Sequence, residues 1–429
     1  MRVYVRSFGC STNLADGEAL MGLLKKAGYH MTDSASEADM IIYNTCAVKG
    51  PTENRMINLL KRTPTTKKLI VAGCLPLINF ERLRRETHFD GVVGPAAGDM
   101  ILEVSKRVLG GEKVTALENA TKAIPRLSLP HAQLNPVISI IPVSYGCLGS
   151  CAYCCVTLAR GSLRSHRIED IVERAKNDMT LCARELWITA QDTASYGRDL
   201  GTNLAELLRA LCHVEGEFWI RVGMMTPNMA NDILEELVEI FLDDHVFKFI
   251  HLPVQSGNNK TLKLMRRSYS VDDFKRIVAA FRESLPEITV STDVICGFPG
   301  ESEDAFEDTL RLIEEVKPDI VNVSKFFARP NTLAAKMKES TIPIAEIRRR
   351  SSLAANAAKK VASERNQRWV NWSGEILVDE VGKVANSWVG RNFAYKPIAV
   401  KSTSKLHGRK LFVRVVKPHP TYLEAEIVE

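Results

Sequence analysis

Cys147-Leu148-Gly149-Ser150-Cys151-Ala152-Tyr153-Cys154 decides how this chain is read. The stretch follows an apolar, β-rich run near 137–144 and has C-x3-C-x2-C spacing. Thiolates are soft ligands suited to iron–sulfur clusters or zinc. Zinc normally takes four ligands, usually from two knuckles, and no second C-x2-C lies nearby. Three closely spaced cysteines can instead hold three irons of a 4Fe-4S cluster and leave the fourth open. An open iron can be chelated by the amino and carboxylate groups of S-adenosylmethionine. Electron transfer into the sulfonium then yields a 5′-deoxyadenosyl radical, chemistry that a protein delegates to its cofactors. Zinc and a chance arrangement are the alternatives.

Outward from this stretch, strands and helices alternate. Strands are expected near 137–144, 184–190, 217–223, 247–252, 288–295 and 319–326, with helices such as Ile168 to Met179 and Val271 to Ser284 between them. Six βα units suggest a partial (β/α)6 barrel with its chemistry at the C-terminal strand ends, and the cysteine stretch follows the first strand. A helix-favouring segment, Ile344 to Trp369, leads out. The tail then changes period. Glu375 to Val381, Pro397 to Lys401, Leu411 to Val416 and Leu423 to Val428 read as short strands of a small all-β barrel.

Residues 1–112 also alternate. Val3 to Ser7, Asp39 to Thr45 and Lys68 to Ala72 read as strands, and Asp16 to Ala27, Glu53 to Arg62, Phe80 to Glu86 and Gly98 to Leu109 as helices. The whole chain is thus α/β, beginning with a small parallel sheet. Cys10, Cys46 and Cys74 each fall just past the carboxyl end of a strand. Open α/β sheets place ligands along that edge, so three residues far apart in sequence would converge there. Residues 113–135, with Pro125 and Pro130, read as a linker. The expected domains are 1–112, 136–366 and 367–429.

The chain has 429 residues, 45% hydrophobic and 25% charged, which excludes disorder and collagen-like structure. The longest apolar stretch, Val137 to Val143, is too short to span a bilayer. The first residues, Met1 to Arg6, lack a signal-peptide core, so a cytoplasmic location is expected. In a reducing compartment the ten cysteines point to metal binding or catalysis rather than to disulfides. Cys155, Cys182, Cys212 and Cys296 read as small buried hydrophobes. The net charge of +6 is uneven: residues 365–429 hold 11 Lys/Arg against 6 Asp/Glu. A basic tail on a neutral body suggests a polyanion anchor, most plausibly for nucleic acid, or else a merely soluble basic domain.

Further motifs stand at successive strand ends. The first domain carries Ser7-Phe8-Gly9-Cys10-Ser11-Thr12-Asn13, Asn44-Thr45-Cys46-Ala47-Val48 and Ala72-Gly73-Cys74-Leu75. The second adds Thr189-Ala190-Gln191-Asp192-Thr193, Arg221-Val222-Gly223-Met224, His251-Leu252-Pro253-Val254-Gln255-Ser256-Gly257, Thr292-Asp293 through Cys296 to Glu301, and Phe327-Ala328-Arg329-Pro330-Asn331-Thr332. With these blocks the chain resembles the radical S-adenosylmethionine methylthiotransferase family along nearly its whole length. Its tail is similar to a TRAM domain, a small RNA-binding β-barrel. The block from Val389 to Ile398 resembles the archaeal and eukaryotic branch that acts on N6-threonylcarbamoyladenosine beside the anticodon. The chain departs from the family after Arg160-Gly161, where Ser165-His166-Arg167 stands in place of the frequent Ser-Arg-Pro or Ser-Tyr-Pro.

The resemblance implies two 4Fe-4S clusters, one on Cys147, Cys151 and Cys154 and an auxiliary one on Cys10, Cys46 and Cys74. It implies two uses of S-adenosylmethionine: one molecule methylates a sulfur species at the auxiliary site, and another yields the radical that activates C2 of the adenosine at position 37 of tRNA. An electron donor and a sulfur donor are implied as partners, with the tRNA anticodon stem-loop as substrate. Adenine C2–H is not acidic and has no leaving group, which fits the lack of a Ser/His/Asp or paired-carboxylate motif. Tyr153 is expected along the cofactor adenine. Gln191, Gln255 and Ser256 are candidate hydrogen-bonding groups for its ribose or carboxylate, and Arg221 for its methionine carboxylate. Asp192 and Asp293 are rim contacts or helix caps, and His251 a ligand or a structural histidine. In the tail, Arg391, Lys396, Lys401, Lys405, Arg409 and Lys410 are candidate phosphate contacts, and Phe393 and Tyr395 stacking partners. Two rivals stay open: a ribosomal-protein side chain or another tRNA adenosine as substrate, and a non-catalytic Fe–S electron-transfer or RNA-binding protein.

Overall fold

The computed structural model describes residues 1–48, 50–122 and 124–428. The first domain is a six-stranded parallel sheet of β1 (Arg2–Ser7), β2 (His30–Met31), β3 (Met40–Thr45), β4 (Lys68–Gly73), β5 (Gly91–Val93) and β6 (Val114–Ala116), in the order β2-β1-β3-β4-β5-β6. The apolar runs of β3 and β4 are buried on both faces, as a sheet covered by helices on each side requires. Ile41, Tyr43, Leu69 and Val71 pack on one side, and Met40, Ile42, Ile70 and Ala72 on the other. The first helix starts at Ser11, directly after Cys10, rather than at Asp16. β6 lies inside the stretch read as a linker, and it is too short for a periodic signature. The linker is also packed, with Leu127 and Leu129 buried in the flanking cores.

The second domain carries the expected six parallel strands: β7 (Ile138–Pro142), β10 (Glu185–Thr189), β11 (Trp219–Val222), β12 (Phe249–His251), β13 (Thr289–Cys296) and β14 (Ile320–Lys325). The two-residue strands β8 (Ser144–Tyr145) and β9 (Arg164–Ser165) pair across the cysteine loop. The six form two sheets, β11-β10-β7 and β12-β13-β14, joined by a bridge between Ile220 and Val246, so the wall curves and stays open between β7 and β14. Several of its helices are capped by side chains. Ser270 and Asp273 form a capping box on helix Val271–Ser284, and Ser302 caps Glu303–Val316. Between helices and wall, Phe241 meets Phe281 edge-on at 5.2 Å, both fully buried, and each ring contributes about 2–3 kcal/mol by leaving water.

The tail closes into a five-stranded barrel of β15 (Ser373–Val381), β16 (Ser387–Arg391), β17 (Pro397–Lys401), β18 (Lys410–Pro418) and β19 (Leu423–Ile427). β16 has no counterpart among the expected strands because Gly390 interrupts its apolar run. A Cβ there would lie 2.7 Å from the Leu377 carbonyl oxygen, so the glycine permits close strand pairing. The loop 391–397 docks against the amino-terminal ends of the wall strands, opposite the cysteine stretch. The Lys248 amide donates to the Phe393 carbonyl at 2.8 Å, and the Tyr395 ring lies 4.9 Å from Phe247 and 5.1 Å from Phe249.

This docking corrects several expectations for the tail. Lys396 is buried and pairs with Asp319, while Arg391 pairs with Asp379 and Glu380. Phe393 packs on Trp369 and Trp372. The seam between domains takes Lys396 away from solvent, while Arg391 and Phe393 are half-buried against partners within the tail. Lys410 is bound to Glu217 and Glu375 and covers the Trp219 ring at 4.6 Å. Lys401, Lys405 and Arg409 are exposed, as is Lys410 despite its two carboxylate partners. Of the cysteines read as buried hydrophobes, Cys155 and Cys296 are buried, Cys212 is partly so, and Cys182 is exposed. Cys182 stands in a left-handed turn past the end of helix Ile168–Thr180, with φ 76°.

Candidate metal centres and the seam between them

Cys10, Cys46 and Cys74 do converge at the carboxyl edge of the first sheet. Cys46 and Cys74 directly follow β3 and β4, and Cys10 precedes the helix after β1. Gly9 makes the approach possible: with φ 109°, a Cβ on it would stand 2.6 Å from Cys46 Cβ and 2.8 Å from its Sγ. Burial pushes the Cys74 thiol up to about 12 and raises that of Cys46. Crowded, buried thiols of this kind become thiolates when a cation binds among them, so the donor set fits an iron–sulfur cluster.

The second triad sits above β7. Backbone amides already point at its sulfurs: Gly149 N lies 3.2 Å from Cys147 Sγ, and Val156 N 3.4 Å from Cys154 Sγ. Gly149 nests between two ligands, its would-be Cβ 3.3 Å from Cys147 Sγ and 3.5 Å from Cys151 Sγ. Burial pushes the Cys147 thiol up to about 11 and Cys154 higher still. Amide and guanidinium donors aimed at sulfur suit thiolate ligands, and this set also fits a cluster. Arg267, which the sequence reading passed over, donates from Nη1 to Cys151 Sγ at 3.1 Å. Its guanidinium also lies 5.7 Å from the Tyr153 ring and 5.4 Å from Tyr269.

The candidate cofactor contacts separate into two groups. Tyr153 stays beside the triad, packed edge-on to Phe298 at 6.3 Å. Gln255, in a left-handed backbone with φ 69°, bridges to β13 at the rim. The others are engaged inside the protein. Asp192 accepts the Thr226 amide at 3.0 Å and its hydroxyl, which makes it a tie between two loops. Ser256 is buried against Thr309, 3.5 Å away. Arg221 lies below the rim, stacked among Trp187, Phe249 and Tyr395 at 5.1–5.6 Å. Gln191 accepts the Gly146 amide at 2.7 Å and donates to Thr12 at 3.3 Å, fastening the cysteine loop to the first domain. On the inner wall, His251 Nε2 lies 3.2 Å from Asp293, which also accepts from Asn322 at 2.8 Å. The departing loop points inward: burial lowers His166 to about 4, and its ring meets Tyr145 edge-on at 6.1 Å.

Three further ties fasten the second domain to the first. Ser11 Oγ and Thr189 Oγ1 are 2.5 Å apart. Arg160, at the end of helix Val156–Arg160, pairs with Asp16 at 2.7 Å. Arg329 pairs with the buried Glu53. The block around Arg329, quoted above only as a motif, is therefore a clamp between domains.

The chain is 38% identical to the probable threonylcarbamoyladenosine tRNA methylthiotransferase of Pyrococcus horikoshii, over 100% of both chains. The chain belongs to the threonylcarbamoyladenosine tRNA methylthiotransferase family. It is also 37% identical to the probable enzyme of the same name in Methanothermobacter thermautotrophicus, over 99% of both chains. The human threonylcarbamoyladenosine tRNA methylthiotransferase is 34% identical over 100% of this chain and 74% of its own length. Residues 141–313 match the Radical SAM superfamily, and residues 2–94 match the family described as Uncharacterized protein family UPF0004. Among solved structures, the radical S-adenosylmethionine methyltransferase TsrM of Kitasatospora setae aligns with a TM-score of 0.59 over 78% of this chain and 74% of its own. At 12% identity that is a likeness of fold. As a family member the chain is a radical SAM methylthiotransferase, and a 4Fe-4S cluster and S-adenosylmethionine go with that class.

Proposed function

We propose that this methylthiotransferase adds a methylthio group to C2 of N6-threonylcarbamoyladenosine at position 37 of tRNA, in the cytoplasm, drawing on an electron donor and a sulfur donor. The observation that carries this reading is the apposition of two cysteine triads across one seam, each with three ligands. Electron carriers generally use four cysteines per cluster, so two three-cysteine sites favour chemistry at open irons over the electron-carrier alternative. Cys147, Cys151 and Cys154 would hold one 4Fe-4S cluster, and Cys10, Cys46 and Cys74 a second. When bound, the first group supplies the electron that cleaves S-adenosylmethionine and the second presents the sulfur to be transferred.

The chain's own residues position these sites. Gln191 and Thr12 fix the cysteine loop against the first domain, and Ser11 ties the same helix to Thr189 at the end of β10, so the two domains are held in one register. Cys46 and Cys74 are buried while Cys10 is exposed, and Cys147, Cys151 and Cys154 are half-buried, so each triad has a sheltered side and a side open to substrate. The exposed Lys401, Lys405 and Arg409 offer phosphate contacts, and Phe412, 53% exposed on β18, is a more open stacking candidate than the half-buried Phe393 and Tyr395. A nucleotide from a single-stranded loop is the easiest to splay toward the barrel mouth.

Two measurements test the reading. In anaerobically reconstituted protein, Cys147→Ala abolishes 5′-deoxyadenosine formation from S-adenosylmethionine; retained formation sinks the radical-enzyme assignment. Mass spectrometry of tRNA nucleosides from cells with and without the gene shows loss of 2-methylthio-N6-threonylcarbamoyladenosine. An unchanged level of that nucleoside removes the tRNA substrate.

A further inference from the structure

The end of helix Val156–Arg160 carries a charge that the fold puts in an unusual place. Arg160 belongs to the radical SAM domain, yet its side chain is 3% exposed and lies inside the first domain's ligand edge. Its Nη2 donates to Asp16 Oδ2 at 2.7 Å and to Asn13 Oδ1 at 3.2 Å, both on the helix that follows Cys10. Tyr145 donates to the other Asp16 oxygen at 3.1 Å, and its ring lies 5.8 Å from the guanidinium. The same short helix packs against Leu75–Ile78, the helix that follows Cys74, and Ala159 and Cys155 share a core with Cys74 and Leu75.

Arg160 Nη1 is buried and has no hydrogen-bond partner among the described residues. A strut between domains needs only the Nη2 contacts, and a buried donor left unpaired is unfavourable. Its surroundings identify what it faces: the titratable groups around the guanidinium are Asp16, Cys74 and Cys10, and the helix that carries it packs on the helix after Cys74. Asp16 is already satisfied by Nη2 and Tyr145, so the thiol edge is the remaining acceptor.

We infer that Arg160 reaches across from the radical SAM domain to donate a hydrogen bond from Nη1 to sulfur of the auxiliary cluster on Cys10, Cys46 and Cys74, with Asp16 and Tyr145 orienting it. The inference rests on the two-cluster reading above. A cation donating to cluster sulfur stabilises the reduced, more negative state, so it raises the reduction potential. It also makes the auxiliary centre complete only when the two domains are docked.

The test uses the full chain with Cys147, Cys151 and Cys154 all changed to Ala, reconstituted anaerobically with iron and sulfide so that one cluster is loaded. Its potential is read by redox titration followed by electron paramagnetic resonance. Arg160→Gln removes the cation and shifts the midpoint to more negative potential at unchanged iron content. Asp16→Asn removes the anion but leaves Arg160, and shifts it to more positive potential. A strut would give both variants the same direction of change, or none, and either result overturns the inference. If Arg160→Gln loads no iron, Asp16→Asn decides alone: a positive shift supports the inference and no shift overturns it. If neither variant loads, the pair is a strut and the inference is lost. If the parent with Arg160 and Asp16 intact binds no iron, it is the two-cluster reading that fails.

Discussion

Lys396 Nζ lies 2.9 Å from Asp319 Oδ1, inside the seam between the tail barrel and the amino-terminal end of β14. Arg368 and Arg365 reach the same carboxylate at 3.2 and 3.4 Å, and Asp319 is fully buried. Much of the tail's positive charge is therefore structural rather than presented to a polyanion. Burial alone would raise the Asp319 pKa, but Lys396, then Arg365 and Arg368, pull it below the ordinary carboxylate range. Such a group stabilises the fold above the unfolded value of about 3.9, and the contribution is lost as pH falls through the lower folded value. Asp319→Asn leaves three cations around a neutral amide, with an expected loss of about 3–5 kcal/mol. The expected outcome is a lower melting temperature at pH 7 and faster protease cleavage near residue 368. The gap from wild type narrows in strong acid, and equal melting curves at pH 7 would contradict the account.

The architecture was legible because long periodic segments and strand-end motifs agree. Cys10, Cys46 and Cys74 could be assigned to one edge since each follows an apolar run, and parallel sheets put such positions together. The seam residues were not legible. Arg267 lies 116 positions from Cys151 and follows Lys263 and Arg266, so it reads as part of a solvated charge run. Arg160 and Asp16 each look like a surface charge on an amphipathic helix. Lys396 and Tyr395 look like RNA contacts because a basic aromatic stretch carries no mark of which domain will cover it. Interdomain packing is a tertiary choice, and single-sequence patterns register only the local one.

Glu18 supplies a second titration with the opposite sign. Its carboxylate accepts the Leu134 amide at 3.0 Å while buried near His131, Arg174 and Asp178. Burial, only partly offset by that amide and by His131 and Arg174, raises its pKa to about 7. A raised carboxyl contributes stability that is full below the unfolded value, about 4.3, and is lost as pH rises through 7. The change across that window is about 4 kcal/mol. Glu18→Gln keeps an acceptor for Leu134 and removes the ionisation. Melting temperatures from pH 4.5 to 8.5 should show the variant rising relative to wild type with pH. Parallel curves would mean that Glu18 does not ionise in this window.

Gly9→Ala tests the auxiliary triad without touching a ligand. The added methyl falls within 3 Å of both Cys46 Cβ and Sγ, and the Cβ can yield only if its backbone moves, at a φ that L-residues rarely adopt. Reconstituted Gly9→Ala should carry one cluster's iron and sulfide where wild type carries two, and should still form 5′-deoxyadenosine. Full iron content in the variant would show that the edge tolerates a Cβ and that the triad is looser than its geometry indicates.

The last prediction separates the exposed face of the tail barrel from its buried one. Lys401, Lys405 and Arg409 are exposed, and a cation that neutralises a phosphate contributes about one unit to the slope of log affinity against log salt. Changing all three to Ala should weaken binding to a tRNA anticodon stem-loop and flatten that slope by up to about three units. Tyr395→Phe removes only a hydroxyl within the seam, where the ring packs on Phe247 and Phe249 and under Arg221, and leaves affinity and slope unchanged. Both follow from a titration by fluorescence anisotropy at several salt concentrations. A slope unaltered by the triple change, or altered by Tyr395→Phe, would put the RNA on another surface.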